Sequence, residues 1–242
     1  MSFKIARVKK VIIENIKSLG AAVIFAILIR SFIVEPFQIP SSSMKPNLLI
    51  GDFLFVSKYS YGFSRHSFPF SIVPIKGRIF NFNQPERGDV IVFRGVENPN
   101  KFYIKRLIGL AGDKVQMING VLYINNQPVN KIYAGTFSDN EFQNVKMYNE
   151  ELSTKKIHLT LDLEEQGILD NTKVYEVPEG YLFMMGDNRD GSNDSRWELG
   201  YIPYENIIGR AEFIFFSIDG KFLEFWKWYD SIRFSRIFNK VN

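Results

Sequence analysis

The chain has 242 residues, of which 45% are hydrophobic and 23% charged, and it contains no cysteine. This length allows one elaborate domain or two small ones, and the composition excludes a disordered protein. The lack of cysteine excludes disulfides, thiol nucleophiles, iron–sulfur clusters and zinc ribbons. The two histidines, His66 and His158, are too far apart for an H-E-x-x-H metalloprotease.

The formal net charge of +4 is unevenly distributed along the chain. Residues 1–30 carry a net +5 and residues 221–242 a net +3, whereas the body between them carries −4. A nucleic-acid-binding protein would carry its positive charge on the folded body. The distribution therefore predicts no nucleic-acid partner.

An apolar run covers residues 19–29 and continues after Arg30 and Ser31 to Val34. At about 1.5 Å per helical residue, such a run approaches the ~30 Å hydrocarbon core of a bilayer. We expect a transmembrane anchor at residues 18–34 and, because basic residues precede it, a cytoplasmic N-terminus at residues 1–17. A cleaved secretory signal is the alternative, but the bulky and charged residues 35–38 do not suit a cleavage site.

From Leu48 onward, short apolar runs rich in β-branched and aromatic residues indicate strands. They cover residues 53–56, 90–93, 103–110, 121–124, 181–185 and 207–216. No long amphipathic helix separates them, so the sequence predicts a mostly β, antiparallel body. Residues 125–175 are more polar, and we interpret them as an inserted lobe or long hairpins rather than core. The predicted division is a β core of residues 35–115 and 180–220, with a β-rich lobe at 116–179.

The last segment, residues 221–242, mixes aromatic with basic residues. Trp and Tyr beside Lys and Arg are typical of a membrane interface, which predicts a membrane-proximal tail. Packing of these aromatic residues on the β body is an equally open alternative.

A serine cluster, Ser41 to Ser43, follows the proposed anchor between Pro40 and Pro46. Serine clusters are usually solvated linkers, but the two prolines and the flanking apolar residues restrict this one. A serine nucleophile needs a base, and a lysine can act as one if apolar burial lowers its pKa. Lys105, in a strand-like apolar run, is the candidate, and an ordinary surface lysine is the alternative.

Ser42 and Lys45 also form an S-x-x-K pattern, and residues 138–140 form S-D-N, two motifs of penicillin-recognising acyl enzymes. That S-x-x-K must begin a helix, whereas Pro46 disfavours a helical Lys45. The third motif, K-T-G, is absent from the sequence. The penicillin-binding type is therefore an unfavoured alternative.

Residues 31–46 (SFIVEPFQIPSSSMKP) resemble the nucleophile segment of bacterial type I signal peptidases. Three further segments follow in the order found in that family. They are Gly51 and Asp52 with 58–62 (KYSYG), 87–90 (RGDV) with 103–106 (YIKR), and 186–196 (GDNRDGSNDSR). Each is weak alone, but together they cover about residues 35–215 behind an anchor, and that combination is highly specific.

The resemblance implies a role for each matching residue. Ser43 would be the nucleophile and Lys105 the general base, with Ser41 contributing its hydroxyl to the oxyanion hole and Ser192 orienting Lys105. The residues implied to support this arrangement are Asp187, Arg106, Asp194 and Arg196. The residues that match the substrate pocket are Phe37, Ile39, Met44, Leu48, Leu54, Val92, Tyr103 and Ile104. Two positions depart from the family pattern, Asn47 in place of Thr and Ala111 in place of Pro, and we expect them to affect only fine detail.

The resemblance further implies a serine endopeptidase that removes signal peptides from exported preproteins through an acyl-enzyme. No metal or cofactor is expected. The implied partners are preprotein signal peptides, the lipid bilayer and the protein export machinery. The implied location is the bacterial plasma membrane, with one span and the catalytic body on the outer face. A membrane-anchored, non-catalytic adaptor of the export machinery is the alternative.

Overall fold

The computed structural model describes residues 2–68, 74–80, 83–152, 156–220 and 228–241, with helical side chains described from Ile12 onward. Within these residues the chain forms two α-helices, α1 Ser2–Phe32 and α2 Trp228–Ser231. The strands are β1 Val34–Gln38, β2 Asp52–Ser57, β3 Phe63–Ser64, β4 Arg78–Ile79, β5 Val90–Arg94, β6 Phe102–Gly109, β7 Lys114–Ile118, β8 Val121–Ile124, β9 Gln127–Pro128, β10 Asn130–Phe137, β11 Val145–Glu151, β12 Ile157–Asp162, β13 Tyr175–Glu176, β14 Tyr181–Met185, β15 Ile202–Pro203 and β16 Ile207–Ser217.

The N-terminal helix α1 contains the predicted apolar segment. Its stretch Ile12–Phe32 has 21 residues and a mean hydropathy of 1.9. The most apolar part of this stretch is not buried within the protein. By length and composition it can cross a membrane. The helix ends at Phe32, two residues before the predicted limit of the anchor, because Val34 already pairs with Ser57 in a sheet.

Seven strands form the main sheet, in the order β1-β2-β16-β5-β6-β14-β15, and neighbouring strands are antiparallel. The prediction of a mostly β, antiparallel body is confirmed. Each of the six predicted runs coincides with a strand to within one residue at either end. The strands are β2, β5, β6, β8, β14 and β16. The sequence prediction missed β1, whose Pro36 is tolerated because β1 is an edge strand.

Residues 114–176 form two smaller sheets, β13-β7-β8-β9 and β10-β11-β12. The interpretation of residues 125–175 as lying outside the core is wrong for Val129 and Leu152. Both are buried in one apolar cluster with Phe183 and Met185 of β14. Val129 lies between β9 and β10, and Leu152 directly follows β11, each beside a polar residue, so the average polarity of the stretch concealed these two buried side chains. We keep the division into a core and an inserted lobe as a proposal.

An apolar cluster fixes the segment between β1 and β2 against the main sheet. Ile39, Met44 and Leu48 of this segment pack with Leu54 of β2 and Ile214 of β16, and all five are at most 2% exposed. This burial holds the serine cluster of residues 41–43 on the sheet rather than in a solvated linker.

The described part of the tail runs beside β16. Ile214 N donates to Asn239 O at 2.9 Å, and Phe238 N donates to Ile214 O at 2.7 Å. The side chains of Tyr229 and Phe238 are nevertheless 93% and 77% exposed. Four aromatic and apolar residues of the predicted tail, Phe222, Leu223, Phe225 and Trp226, lie outside the described residues. The membrane-proximal role of residues 221–242 stays a prediction.

Candidate active site

A short 3-10 turn, Ser42–Met44, carries Ser43 at the surface of the apolar cluster. Ser43 is 7% exposed, and its Oγ lies 2.5 Å from Nζ of Lys105 on β6. The two residues are 62 positions apart in sequence. The structure therefore brings together the two residues for which the sequence predicted a nucleophile and its base.

Lys105 is almost completely buried, with 3% of its surface exposed. Burial lowers its pKa to about 8, because the charged amine loses water; Asp194 and Asp187 oppose this shift and Arg196 adds to it. The predicted lowering by burial thus agrees with the surroundings of this lysine. At this pKa, a substantial fraction of the amine is neutral near pH 8.

The two carboxylates nearest Lys105 are each neutralised by an arginine. Arg106 Nε and Nη2 donate to the two carboxylate oxygens of Asp187 at 2.8 and 2.7 Å, and Arg196 binds Asp194 at 3.0 and 2.9 Å. Burial alone would raise the pKa of both carboxyls, but the arginines hold each below its usual value. The four predicted supporting residues therefore form two bidentate ion pairs.

The loop of residues 186–196 packs directly on the serine segment. Asn188 N donates to Ser43 O at 3.1 Å, and Asn188 Nδ2 donates to Ser42 O at 3.3 Å. A Cβ at Gly186 would lie 2.6 Å from Ser43 O and 2.3 Å from Ser192 Oγ, so only glycine permits this approach. The backbone on both sides of Ser43 is thus held in place.

The two other serines of the predicted site differ in their contacts. Ser41 is exposed, and its Oγ lies 3.4 Å from Ser43 Oγ. Ser192 Oγ is buried but has no hydrogen-bond partner among the described residues. The hydrogen bond from Ser192 to Lys105 implied by the resemblance is therefore absent, and the Ser192 hydroxyl packs at Gly186 instead.

The predicted pocket residues fall into three groups. Ile104 joins two adjoining apolar clusters, one holding Ile39, Met44, Leu48 and Leu54, and the other holding Phe37 and Val92. Tyr103 belongs to a different cluster, where its ring stacks on Phe93 at 5.9 Å. Adjacent residues of a strand point to opposite faces, so Tyr103 and Ile104 separate. The structure thus brings seven of the eight predicted pocket residues together, all except Tyr103.

Asn47, expected to affect only fine detail, contacts the centre of the site. Its Nδ2 lies 2.7 Å from Asp187 Oδ2 and 2.7 Å from Leu159 O. The expectation is wrong for this residue, because Asn47 links β12 to a carboxylate that supports Lys105. The short distance in sequence between Asn47 and Ser43 was the available signal.

A buried group of charges that the sequence did not reveal lies behind Asp187. Glu150 of β11 is 0% exposed and forms a bidentate ion pair with Arg189. Nε2 of His158 on β12 lies 3.4 Å from Glu150 Oε1 and 3.9 Å from Asp187 Oδ1. Burial lowers the pKa of His158, and Arg106 adds to that shift while Glu150 opposes it. Its neutral ring therefore fills the space between two carboxylates and is not aligned with Ser43.

The tip of the β10–β11 hairpin, residues 138–144, reaches the serine segment. Lys45 Nζ lies 2.7 Å from Asp139 Oδ2 and 2.6 Å from Glu141 Oε2, and Ser42 Oγ donates to Glu141 Oε1 at 3.0 Å. Burial would lower the pKa of Lys45, but its bonds to the two acids raise it above the ordinary value. Lys45 is therefore a cation that ties the segment to the hairpin tip.

This pairing also bears on the S-x-x-K and S-D-N motifs. Lys45 has extended backbone dihedrals, φ −61° and ψ 143°, as expected before Pro46, so no helix begins there. The lysine that contacts a serine of the cluster is instead Lys105, whose Nζ lies against Ser43 Oγ. A hydroxyl hydrogen-bonded to a buried amine of lowered pKa is an arrangement suited to nucleophilic acyl transfer.

Comparison with known proteins identifies the family of this chain. Residues 12–216 match the family model "Signal peptidase, peptidase S26". The chain therefore belongs to the signal peptidase family S26, and the predicted enzyme class, a peptidase, is confirmed.

Two relatives from Rickettsia support the same conclusion over nearly the whole chain. Signal peptidase I of Rickettsia canadensis is 41% identical over 93% of this chain and 92% of its own length. Signal peptidase I of Rickettsia typhi is 39% identical over 97% of this chain and 96% of its own length. A crystal structure of a signal peptidase I from Enterococcus faecalis V583 aligns at 27% identity over 53% of this chain and 97% of that chain, with a TM-score of 0.32.

The hairpin tip generates a prediction about the rate of cleavage. Replacing both acids, Asp139→Asn with Glu141→Gln, removes both charge partners of Lys45 and the negative charge that accepts from Ser42. We expect kcat for preprotein cleavage to fall roughly tenfold, because Ser43 is then less well positioned, with a smaller change in KM. Steady-state kinetics on detergent-solubilised protein measures both constants.

Glu165→Gln is the matched control, since it breaks an exposed ion pair with Lys146 in the same region. We expect it to leave kcat unchanged. A double variant with wild-type kcat would show that the hairpin tip does not position Ser43.

Proposed function

We propose that this chain is a membrane-bound serine endopeptidase that removes N-terminal signal peptides from exported preproteins with a Ser43–Lys105 dyad. The observation that carries the proposal is the 2.5 Å contact between Ser43 Oγ and the buried Nζ of Lys105, in a chain that belongs to the signal peptidase family. Residues of neighbouring elements restrain both partners, as nucleophilic catalysis requires.

In the proposed reaction, Ser43 Oγ attacks the scissile carbonyl carbon while neutral Lys105 accepts the hydroxyl proton. Ser43 N–H and Ser41 Oγ–H donate to the oxyanion, and such a donor contributes about 3 kcal/mol to the transition state. The Lys105 ammonium then gives its proton to the departing amine, which leaves the signal peptide esterified to Ser43. Lys105 next takes a proton from a water molecule, whose oxygen attacks the ester carbonyl carbon. The bond from that carbon to Ser43 Oγ then breaks, Lys105 returns the proton to Ser43 Oγ, and the signal peptide leaves as a carboxylic acid.

The proposed substrate pocket is the apolar surface around Ile104. Ile39, Met44, Leu48 and Leu54 lie on one side of it, and Phe37 and Val92 on the other. We propose that this apolar surface accepts the small residues before a signal-peptide cleavage point. We include Tyr103 only as a residue behind this surface.

The proposed location is the bacterial plasma membrane, with α1 as the single anchor and the catalytic body on the outer face. Basic residues precede the apolar stretch, which favours a cytoplasmic N-terminus. The implied partners are the preprotein, the bilayer and the export machinery. No nucleic acid, metal or cofactor is needed for the proposed chemistry.

Substitution of the base tests the dyad. Lys105→Arg should be about as inactive as Ser43→Ala, because a guanidinium stays protonated and cannot accept the serine proton. We expect both variants to lose roughly 10²- to 10⁴-fold in kcat/KM on a preprotein, measured at equal protein concentration. Lys101→Arg, at an exposed lysine just before β6, is the matched control and should retain activity. Substantial cleavage by Lys105→Arg would remove Lys105 from the mechanism.

The pH profile tests which group is the base. Because Lys105 must be neutral to act and its pKa is about 8, kcat/KM should rise with pH to a plateau, with a midpoint near 8. Burial and nearby arginines lower the pKa of His66 to about 4, and burial lowers that of His158, so neither histidine titrates near 8. The rise should survive His66→Gln and His158→Gln in variants whose thermal melting shows that they fold. A midpoint moved by a unit or more in a folded histidine variant would assign the base to that histidine.

A reporter fusion tests the orientation. A reporter that functions only outside the cytoplasm, fused to the C-terminus, should be active in intact cells. A reporter that functions only in the cytoplasm is the control and should be inactive at the same position. The opposite pattern would contradict the proposed location of the catalytic body.

A further inference from the structure

A cavity of about 580 Å³ lies where α1 meets the first strands of the main sheet. It is separate from the Ser43 site, and four basic side chains line it: Arg30, Lys58, Arg65 and Arg94. The acidic residue of its lining is Glu35. The cavity therefore carries three formal positive charges in excess, in a body whose overall charge is negative.

The basic residues divide into two pairs. Arg30 and Lys58 share Glu35, at 2.7 and 2.8 Å, and so already have a counterion. Arg65 and Arg94 form no ion pair with a described residue. The guanidinium of Arg94 lies 4.8 Å above the Phe102 ring, its Nη1 donates to Pro99 O at 2.6 Å, and its Nε is a buried donor without a hydrogen-bond partner among the described residues.

Burial and the excess positive charge together lower the pKa of groups beside the cavity. The pKa of His66 is lowered to about 4, first by burial and then by Arg65, Arg94 and Arg78. Burial also lowers the pKa of Lys58, and Arg30 and Arg94 add to that shift. An unpartnered donor in a positive field is the chemical complement of an anion with several acceptor oxygens.

The position of the cavity at the end of α1 indicates that the anion comes from a lipid. Arg30 is in the last turn of α1, whose apolar stretch Ile12–Phe32 is long enough to span a bilayer. When α1 spans the membrane, the cavity lies at the level of the lipid headgroups, within reach of their phosphates. Phe68 and Phe102 provide apolar walls for the start of an acyl chain.

We propose that this cavity binds a phospholipid molecule by its headgroup phosphate, with Arg65 and Arg94 as the main ligands and Arg30 and Lys58 at the rim. The proposal rests on the proposed membrane anchoring of α1 but is independent of the Ser43–Lys105 dyad. A lipid held here fixes the edge of the main sheet, at β1, against the bilayer surface.

Native mass spectrometry of the full chain carrying Ser43→Ala, in a maltoside detergent, tests the proposal with dioleoylphosphatidylglycerol as the probe. We expect retention of one lipid molecule per chain. Arg65→Gln with Arg94→Gln should weaken retention at least about tenfold, since two charge-assisted hydrogen-bonding groups are lost. Lys146→Gln with Lys173→Gln removes the same charge from exposed sites outside the main sheet and should leave retention unchanged.

Two further probes identify the ligand. Dioleoylglycerol, which lacks the phosphate, should not be retained, and inorganic phosphate should not displace the lipid. Equal retention of dioleoylglycerol would make the site a general apolar groove, and displacement by inorganic phosphate would make it a free-anion site. Either result overturns the proposal, as does equal lipid retention by the two double variants.

Folding and anchoring are measured separately from lipid retention. Arg65→Gln alone changes an exposed side chain and should still weaken retention several-fold, which guards against misfolding of the double variant. Carbonate extraction of cell membranes reports whether α1 anchors the chain. A chain that is not membrane-embedded contradicts the anchor, whereas an embedded chain whose Arg65 and Arg94 variants retain lipid normally contradicts only the lipid site.

Discussion

The burial of Lys105 is the constraint on which the site depends. A lysine loses most of its affinity for a proton only when water is removed and no negative charge replaces it. Two carboxylates, Asp187 and Asp194, lie close enough to raise its pKa, but each is bound in a bidentate pair by its own arginine. The arginines cancel much of the field that the carboxylates would otherwise exert at the amine. Desolvation therefore prevails, and the pKa is lowered to about 8.

The Arg106–Asp187 pair also gives the site its shape, because it joins segments that are 81 positions apart in sequence. Arg106 is on β6 while Asp187 begins the loop that bonds to Ser43 O through Asn188 N. Asn47 adds a third segment by donating to Asp187. A change at one of these residues should thus disturb both the charges around Lys105 and the position of Ser43. Removing one partner of a buried ion pair typically costs about 3–5 kcal/mol of stability.

Local sequence features predicted the parts of this protein that are determined locally. The six apolar runs contain strands, and the alternation of side chains along β6 separates Lys105 from its neighbour Arg106. The contacts of Lys45 with Asp139 and Glu141 were not predictable, because these partners are about 95 residues apart and come together only when β10 and β11 pair. Glu150 was missed for a related reason. It lies in a polar stretch, and only the pairing of β11 with β12 and the approach of Arg189 bury it.

The effect that suits Lys105 to act as a base would make a histidine unsuitable in a similar setting. Burial lowers the pKa of any cationic group, and at His66 it does so, with the help of neighbouring arginines, to about 4. A neutral imidazole of that pKa is always available near pH 7 but is a weak proton acceptor. Lysine begins from 10.5, so a comparable lowering brings its pKa to about 8, close to the pH at which a general base is most effective. A buried site is therefore compatible with a serine–lysine pair, which does not need the carboxylate that a histidine base requires as its orienting partner.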